Sequence, residues 1–311
     1  MVQVLYSAGM EILFAIVLAW ATGVATAAQG CTNAALGSRT SVLQASLVSF
    51  AGGFVILIVI CAATGNAIPL NPFDYPVWKL AGGVYGVFIV FAMAFCSPRL
   101  GAALTMTLLM VGQLLGGAVV DFFGLLEAAR VDVSLIRIAG CAFALAGIIA
   151  VYAGGKHLKE RQHRIRRILF AALAFAAGLA SAVQTPTNAA LATSIGVLRL
   201  GAWNFFVGTL ILLIVVLIAN RGRLLSFQGC APWHFTGGVY GAFGVPASTA
   251  ATPVLGVSLM LCFCMFGQLI GGLAVDRFGL LESPRIPIDK LRIAGAVLLG
   301  IGVVLVTISK M

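Results

Sequence analysis

Charged side chains are scarce in this chain. Only 9% of its 311 residues are Asp, Glu, Lys or Arg, against about 25% in soluble domains. A water-soluble fold of this length needs polar cover over most of its surface, and so few charges cannot supply it. Because 61% of the residues are hydrophobic, the composition excludes a soluble enzyme, a nucleic-acid binder and a disordered chain. It indicates an integral membrane protein.

The sequence motifs of enzymes and metal centres are absent as well. There is no HExxH, no paired nucleophile and base, and no Walker phosphate loop, which argues against intramembrane hydrolysis and ATP-driven transport. None of the seven cysteines has the spacing of a zinc site or of a disulfide framework. We therefore predict a protein that is not an enzyme and that has no catalytic residues, no cofactor and no metal.

The few charges are mostly positive and unevenly distributed. Nineteen Lys and Arg against nine Asp and Glu give a net charge of +10. In a soluble protein this excess would suggest nucleic acid, but here it is concentrated in the loop 156–167 and reports orientation in the bilayer. We predict a lipid bilayer and a small-molecule substrate as partners, no nucleic acid, and a monomer or homodimer.

Ten stretches of the chain are long and apolar enough to cross a bilayer, which takes about 20 residues in a helix. They are apolar all round, whereas strands of a membrane barrel alternate apolar and polar residues. The predicted fold class is all-α integral membrane, with ten transmembrane helices. The predicted spans are 10–36, 40–63, 77–96, 99–121, 134–153, 167–192, 197–219, 233–252, 254–276 and 290–309.

The second half of the chain repeats the first at an offset of 155 residues, without gaps. Residues 82–86 read GGVYG, as do 237–241, and residues 123–127 read FGLLE, as do 278–282. About 32 of the 70 positions in 82–151 are identical to their counterparts, where chance predicts roughly 6–7%. Internal repeats of this kind are characteristic of secondary transporters.

Each repeat has five spans, an odd number, so the second repeat must enter the membrane from the opposite side. This predicts two inverted five-helix repeats, 1–155 and 167–311, joined by a basic cytoplasmic linker at 156–166. Such halves meet at a substrate site near the membrane midplane. With both termini extracytoplasmic in the inner membrane, 14 of the 19 Lys and Arg lie on the cytoplasmic side, as the positive-inside rule requires.

The order of motifs in each half resembles a known family. The blocks GGVYGVF, SPRLGAALT, GQLLGG and VDFFGLLE follow one another in the first half. The chain resembles two five-span units of the YdcZ-type branch of the drug/metabolite transporter superfamily, fused in tandem. The Gln-x-x-x-Asn elements Gln29/Asn33 and Gln184/Asn188 are also similar to that family's. The resemblance implies small-molecule transport without settling the substrate.

Polar side chains deep in a membrane span are costly, so they are candidates for a substrate site. Gln29 and Asn33 lie one helical turn apart on one face, and Gln184 and Asn188 repeat them. Pro186 lies between the second pair and frees a backbone carbonyl, which favours a broken helix that lines a cavity. The alternative is that the two Asn residues only end a helix near the headgroups.

Three more repeated or aromatic sets are candidates for substrate binding. Gln113 and Gln268 lie in G-x-x-x-G spacings, so their amides could line a cavity or pack helices together. Tyr85 and Tyr240 lie in glycine-rich turns, where the hydroxyl could bind substrate or the ring could pack against glycine. The remaining aromatic candidates are Trp20 and Trp203.

Asp121 and Asp276 are the main repeated acids. Either could couple transport to protons if partial burial raised its pKa into the working range. Both also stand at span ends with arginines nearby in sequence, so an ion pair that anchors a loop is the competing interpretation. No span has a clear acid at its midplane, which favours a neutral or zwitterionic metabolite.

These features together predict a secondary active transporter that moves a small organic metabolite by alternating access, with proton coupling as an option. Two other functions fit the same sequence. A passive channel or facilitator would have a fixed pore, and a non-transporting structural subunit would not need the repeated polar residues.

Overall fold

The computed structural model describes residues 2–66, 71–100, 102–132, 134–154, 164–221, 227–283, 285 and 289–309. Within these ranges the chain is helical and has no strand. The predicted basic linker 156–166 lies outside them except for its last three residues. The long helices are α1 Val2–Arg39, α2 Val42–Ala63, α3 Gly82–Leu100, α4 Ala102–Phe123, α5 Leu135–Gly154, α6 Arg164–Ile195, α7 Val197–Ala219, α8 Gly237–Leu255, α9 Val257–Phe278 and α10 Lys290–Ile308.

The 155-residue repeat of the sequence is also a repeat of the structure. Helix α4 and helix α9 begin and end at equivalent positions, and α2 and α7 begin at equivalent positions. Gly196 and Gly256 adopt φ values of 83° and 77°, a left-handed range that glycine reaches without strain. They allow the chain to reverse within one residue between α6 and α7 and between α8 and α9.

Seven helices of the described chain are long and apolar enough to cross a membrane. Two further helices, α3 and α5, contain shorter apolar stretches, Gly82–Met93 and Leu135–Ala150. Helix α8 is not among the seven, and its hydroxyls from Ser248, Thr249 and Thr252 donate to carbonyls one turn earlier in the same helix. The finding is therefore a multi-pass membrane protein with seven clear candidate spans.

Two of the predicted spans are interrupted near their beginnings in the structure. The predicted span 77–96 divides into a single helical turn, Val77–Leu80, followed by α3 from Gly82. The predicted span 233–252 likewise divides into a short turn, Pro232–Thr236, and α8 from Gly237. A proline precedes or starts each short turn, where its missing N–H costs nothing.

Corresponding helices of the two halves pack against each other in antiparallel directions. In the α2/α7 pair, Gly208 lies against the ring of Phe50, and Gly53 lies against the ring of Phe205. Residue numbers therefore rise along α2 as they fall along α7. The two rings, which are equivalent in the repeat, have centroids 5.3 Å apart. The pseudo-two-fold axis of the molecule passes between them.

Helices α5 and α10 form the second antiparallel pair of counterparts. Gly140 lies against Val306, and Gly147 lies against Leu299. A side chain on either glycine would meet backbone atoms of α10 closer than 3.0 Å. Small residues at these positions let the two backbones approach closely, which drives helix association where both are already in lipid.

Two parallel helix pairs interlock the halves. Gly112 and Gly116 of α4 face α6, where Gly178 lies opposite. The equivalent contact joins Gly267 of α9 to α1, near Gly23. Since α4 and α6 belong to different halves, as do α9 and α1, each G-x-x-x-G element serves to hold one half against the other.

Candidate functional site

Gln184 and Asn188 of α6 form a polar cluster with the beginning of α3 and with α7. The Gln184 Nε2 donates to the Gly82 carbonyl at 2.7 Å. The Asn204 Nδ2 donates to Asn188 Oδ1 at 2.9 Å, and both side chains are buried. A Cβ at Gly82 would collide with Asn188 Oδ1. Glycine at this position is therefore what allows α3 to start against the two amides.

Gln29 and Asn33 of α1 form the equivalent cluster with α2 and the beginning of α8. The Gln29 Nε2 donates to Ser49 Oγ at 3.1 Å. Asn33 Oδ1 lies where a Cβ on Gly237 would be, next to Ser49. We call these two groups of residues the amide clusters. Each joins the Gln-x-x-x-Asn element of one half to the first turn of a helix from the other half.

The amide clusters flank the aromatic pair on the pseudo-two-fold axis. A Cβ built on Gly86 would lie 3.3 Å from Gln184 Nε2 and 3.4 Å from the Phe50 ring. Gly241 makes the equivalent contacts with Gln29 and Phe205. Along the antiparallel α2/α7 pair, the levels of Ser49 and Asn204 differ by five residues, or about 7 Å at 1.5 Å per residue. The two clusters are therefore close neighbours. Along the α2/α7 pair they lie on opposite sides of the Phe50/Phe205 contact.

Several buried polar atoms at the clusters have no hydrogen-bond partner among the described residues. They include carbonyl oxygens of two cluster amides, Asn33 Oδ1 and Asn204 Oδ1, and the hydroxyls of Thr32 and Thr187. The two threonines are equivalent in the repeat and precede Asn33 and Asn188 directly. Since buried polar groups are rarely unpaired in folded proteins, a repeated set of them points to a polar ligand.

Ser49 and Asn204 were absent from the residues singled out in the sequence as a binding site. They occupy equivalent positions in α2 and α7, and each is a buried polar residue in an apolar span. That shared polarity was the signal available in the sequence. Because one is a hydroxyl and the other an amide, a search for identical repeated residues does not find them.

Gln113 and Gln268 lie apart from the amide clusters, at the two interlocking helix contacts. Gln113 Nε2 donates to Ser181 Oγ at 2.9 Å, across the α4/α6 contact. Gln268 Nε2 bonds to Cys264 Sγ at 3.6 Å within α9, and Gly23 of α1 packs against the same stretch. The amide nitrogens thus bond at helix contacts, while the oxygens Gln113 Oε1 and Gln268 Oε1 are buried and have no hydrogen-bond partner among the described residues. Cavity lining and helix packing both stay predictions for this pair.

The aromatic candidates fall into two kinds of environment. Tyr85 and Tyr240 are half-buried, and in the described chain neither hydroxyl is hydrogen-bonded. Trp203 Nε1 donates to the Leu80 carbonyl at 3.1 Å and so fixes the turn before α3. Trp20 is exposed on α1. The tyrosines follow the cluster glycines Gly82 and Gly237 by three residues, and substrate binding by their hydroxyls stays a prediction.

Asp121 forms a buried tie between the halves. Its carboxylate accepts from Arg137 Nη2 at 2.6 Å and from the backbone N–H groups of Val257 and Ser258 at 3.0 and 2.9 Å. Arg137 also donates to Ser258 Oγ at 2.9 Å. A carboxylate at a helix N-terminus satisfies free N–H groups and complements the helix dipole. Asp121, on α4, therefore holds the beginning of α9.

Asp276, the repeat counterpart of Asp121, is more exposed. It pairs with Arg292 at 2.9 Å, and 28% of its side-chain surface is accessible, against 2% for Asp121. Each aspartate is thus paired with an arginine 16 residues later, the loop-anchoring arrangement that was one of the two interpretations of the sequence. Of the two carboxylates, that of Asp276 is therefore the more accessible to water.

A third set of charges lies past the end of α9. Glu282 accepts from Arg39 at 2.7 and 3.0 Å and lies 3.3 Å from His234 Nε2. The hydrogen bonds from Arg39 hold the pKa of Glu282 below its ordinary value. The repeat counterparts, Glu127 and Lys79, pair at 2.8 Å. The Arg39–Glu282 pair joins the two halves at the end of α9 opposite to Asp121.

Comparison with known proteins gives one family. Residues 14–150 and 169–305 each match the DMT_YdcZ model, described as "Putative inner membrane exporter, YdcZ". One solved structure, described only as "Crystal structure of protein", aligns over 97% of this chain and 97% of its own, with 15% identity and a TM-score of 0.68. At that identity the likeness shows the fold alone. No curated protein matches the chain.

Proposed function

Because this chain belongs to the DMT_YdcZ family of inner membrane exporters, we propose that it is a secondary transporter that carries a small organic metabolite by alternating access. A member of an exporter family is a membrane transporter and not an enzyme, and its partners are a small-molecule substrate and the lipid bilayer. The mechanism and the site belong to the proposal and rest on the contacts described above.

The proposed topology is ten crossings in two inverted five-helix repeats. Antiparallel packing of α2 with α7 and of α5 with α10 supports it, because equivalent helices of inverted halves must run in opposite directions. In this arrangement both termini are extracytoplasmic and the linker 156–166 is cytoplasmic, with most Lys and Arg on the cytoplasmic side. The seven clear candidate spans agree with a multi-pass protein.

The duplicated amide cluster is the observation that carries the proposed function. Polar side chains of a membrane bundle are expensive to bury, and here the same Gln-x-x-x-Asn pair occurs twice, with Asn188 buried and the other three residues half-buried. The unpaired oxygens of Asn33 and Asn204 supply acceptors, and the hydroxyls of Tyr85 and Tyr240 supply donors. We assign the substrate site to the space where these two clusters approach the Phe50/Phe205 pair.

Alternating access follows from how each cluster is closed. Gln184 is held to Gly82, so α6 and α3, from different halves, must separate to open the first cluster. The Asp121 and Glu282 ties lie at opposite ends of α9. Rocking of one half against the other would break one tie and keep the other, so that the two ends open in turn.

The chemistry of the clusters favours an uncharged or zwitterionic substrate with hydrogen-bonding groups. Amides and hydroxyls line both clusters, and no carboxylate belongs to either of them within the described ranges. Proton coupling through Asp121 or Asp276 stays a prediction. Of the two, Asp276 is favoured because Asp121 already accepts three hydrogen bonds.

Counterflow in proteoliposomes loaded with a metabolite library tests this function. We expect saturable flux that unlabelled substrate on the opposite side accelerates. Gln184→Leu and Asn188→Leu should abolish that flux, whereas Gln268→Leu, whose amide bonds within α9, should retain it. Flux without acceleration from the opposite side would indicate a channel, and flux that survives both cluster variants would remove the assigned site.

A further inference from the structure

A groove opens on the outside of the bundle between α9 and α10. Its volume is about 610 Å³. Seven of its eight lining residues are apolar or glycine, and Ile293 and Val297 are more than half exposed. None of the lining residues belongs to the amide clusters. The lining residues are Phe266, Ile270, Leu273, Arg277, Ile293, Ala296, Val297 and Gly300.

The length of the groove matches one leaflet of a bilayer. Along α9 it runs from Phe266 to Arg277, eleven residues apart, which is about 16 Å of helix. Half of a typical hydrocarbon core is about 15 Å. Arg277 lies one residue before the end of α9. The apolar part of the groove therefore has the length of an acyl chain, and its charged end lies at the helix terminus, where the headgroups begin.

The charged end of the groove has an excess of cations. Arg277, Arg285 and Lys290 are all exposed, and none forms an ion pair with another residue that the structure describes. The nearby acids are already engaged. Asp276 pairs with Arg292, and Asp289 accepts from the backbone N–H at the beginning of α10. An anion from outside the protein would find three available cations there.

The repeat supplies a comparison within the same molecule. At the position of Arg277 the first half has Phe122, and at the position of Gly300 it has Leu145, which packs against the apolar core. Lys290 is likewise replaced by Leu135. Two of the three cations, Arg277 and Lys290, and the glycine at position 300 are thus specific to one half, which a general need of the fold would not explain.

We propose that this groove retains an anionic phospholipid, with one acyl chain between α9 and α10 and its phosphate group against Arg277. The apolar lining selects a lipid over a soluble anion, and the cations at the end select a negative headgroup over a zwitterionic one. Basic pockets between membrane helices bind anionic lipid headgroups through the same chemistry. The site is separate from the proposed substrate site and does not depend on it.

Native mass spectrometry of the full chain, released from nanodiscs with equal amounts of phosphatidylglycerol and phosphatidylcholine of the same chain length, tests the proposal. We expect one phosphatidylglycerol retained, with a preference of about fivefold, the effect of one basic residue near a membrane surface. Arg277→Gln should lower the preference, because the cation that faces the groove itself is removed. Gly300→Leu, which introduces the residue found in the other half, should reduce retention of both lipids.

Arg130→Gln, at the end of the molecule equivalent to Arg285, is the matched control and should leave the preference unchanged. Helical content and a monodisperse elution profile establish that each variant is folded. Equal retention of both lipids by the unaltered protein, or an undiminished preference in Arg277→Gln, would overturn the proposal. A dimer that Gly300→Leu dissociates would overturn it too, since a second copy would then be the occupant.

Discussion

Replacing Asp121 by Asn should destabilise the protein far more than the equivalent change at Asp276. Asp121 is buried and bridges Arg137 to the first two backbone N–H groups of α9. The substitution preserves the size of the side chain and removes its charge. Arg137, which is itself buried, is then left without an opposite charge among the described residues, with Ser258 Oγ as its remaining hydrogen-bond acceptor apart from the new amide.

The magnitude follows from the burial of each pair. Removing one partner of a buried ion pair costs about 3–5 kcal/mol, because the other charge stays buried and uncompensated. The Asp276–Arg292 pair is enclosed on the arginine side, where the Arg292 side chain is 7% exposed, but Asp276 is 28% exposed and accepts from Arg292 alone among the described residues. Water at Asp276 therefore compensates part of the charge that Asp276→Asn leaves on Arg292, and that variant loses no backbone hydrogen bond. Because a hydrogen bond to a charged group contributes about 1.5–3 kcal/mol, the free energy of unfolding should fall by about 2 kcal/mol more in Asp121→Asn than in Asp276→Asn.

Reversible unfolding in mixed micelles, followed by the loss of helical circular dichroism, measures both free energies. The double variant Asp121→Asn with Arg137→Gln serves as the control, and it should regain part of the stability because no unpaired charge remains. Equal losses in the two single variants would refute the reasoning from burial. A double variant less stable than Asp121→Asn would refute the assignment of the loss to Arg137.

Three further changes test other parts of the structure. Gly82→Ala should impair folding and flux because its methyl group would collide with the amide cluster. Its control is Gly30→Ala, where the added methyl group faces open space. A thermal melt should show that this control is neutral or stabilised by up to about 1 kcal/mol. Phe50→Ala should cost about 3–5 kcal/mol in the micelle assay because it leaves a cavity at the axis. The pKa of Glu282 is lowered in the folded protein. The pair with Arg39 therefore stabilises the fold above the ordinary carboxyl pKa, and this stabilisation is lost as the pH falls through the lowered pKa of Glu282. Acid below about pH 4 should therefore destabilise the unaltered protein more than Glu282→Gln, which a pH series of melts would show.

The repeat made much of the fold predictable from sequence. Because the two halves align at an offset of 155 residues without gaps, helices of one half predict the positions of helices in the other. Helices α2, α7, α4 and α9 begin within three residues of their predicted positions. The beginnings of α3 and α8 were not predictable in the same way. Hydropathy continues across Ala81, while the break there depends on the turn fixed by Trp203 and on the close approach of Gly82 to α6.

The residues of the candidate site could be predicted better than their partners. Gln184 and Asn188 stand out as polar residues in an apolar span, yet the contact of Gln184 with Gly82 crosses between the halves, and the contact of Asn188 with Asn204 joins two successive helices. The same limit applies to Asp121. Arg137, with which Asp121 pairs, lies 16 residues away in the sequence. Val257, whose backbone N–H Asp121 also accepts, lies 136 residues away, and no local sequence pattern predicts so distant a contact.

Access to the two amide clusters is the most direct test of the proposed mechanism. In a background without cysteines, Gln29→Cys and Gln184→Cys would be treated with a membrane-impermeant thiol reagent from either side of sealed vesicles. Alternating access predicts that both cysteines react from either side of the vesicles, because the one site opens to each side in turn. Reaction of both cysteines from one side only, or of neither from any side, would contradict the proposed mechanism.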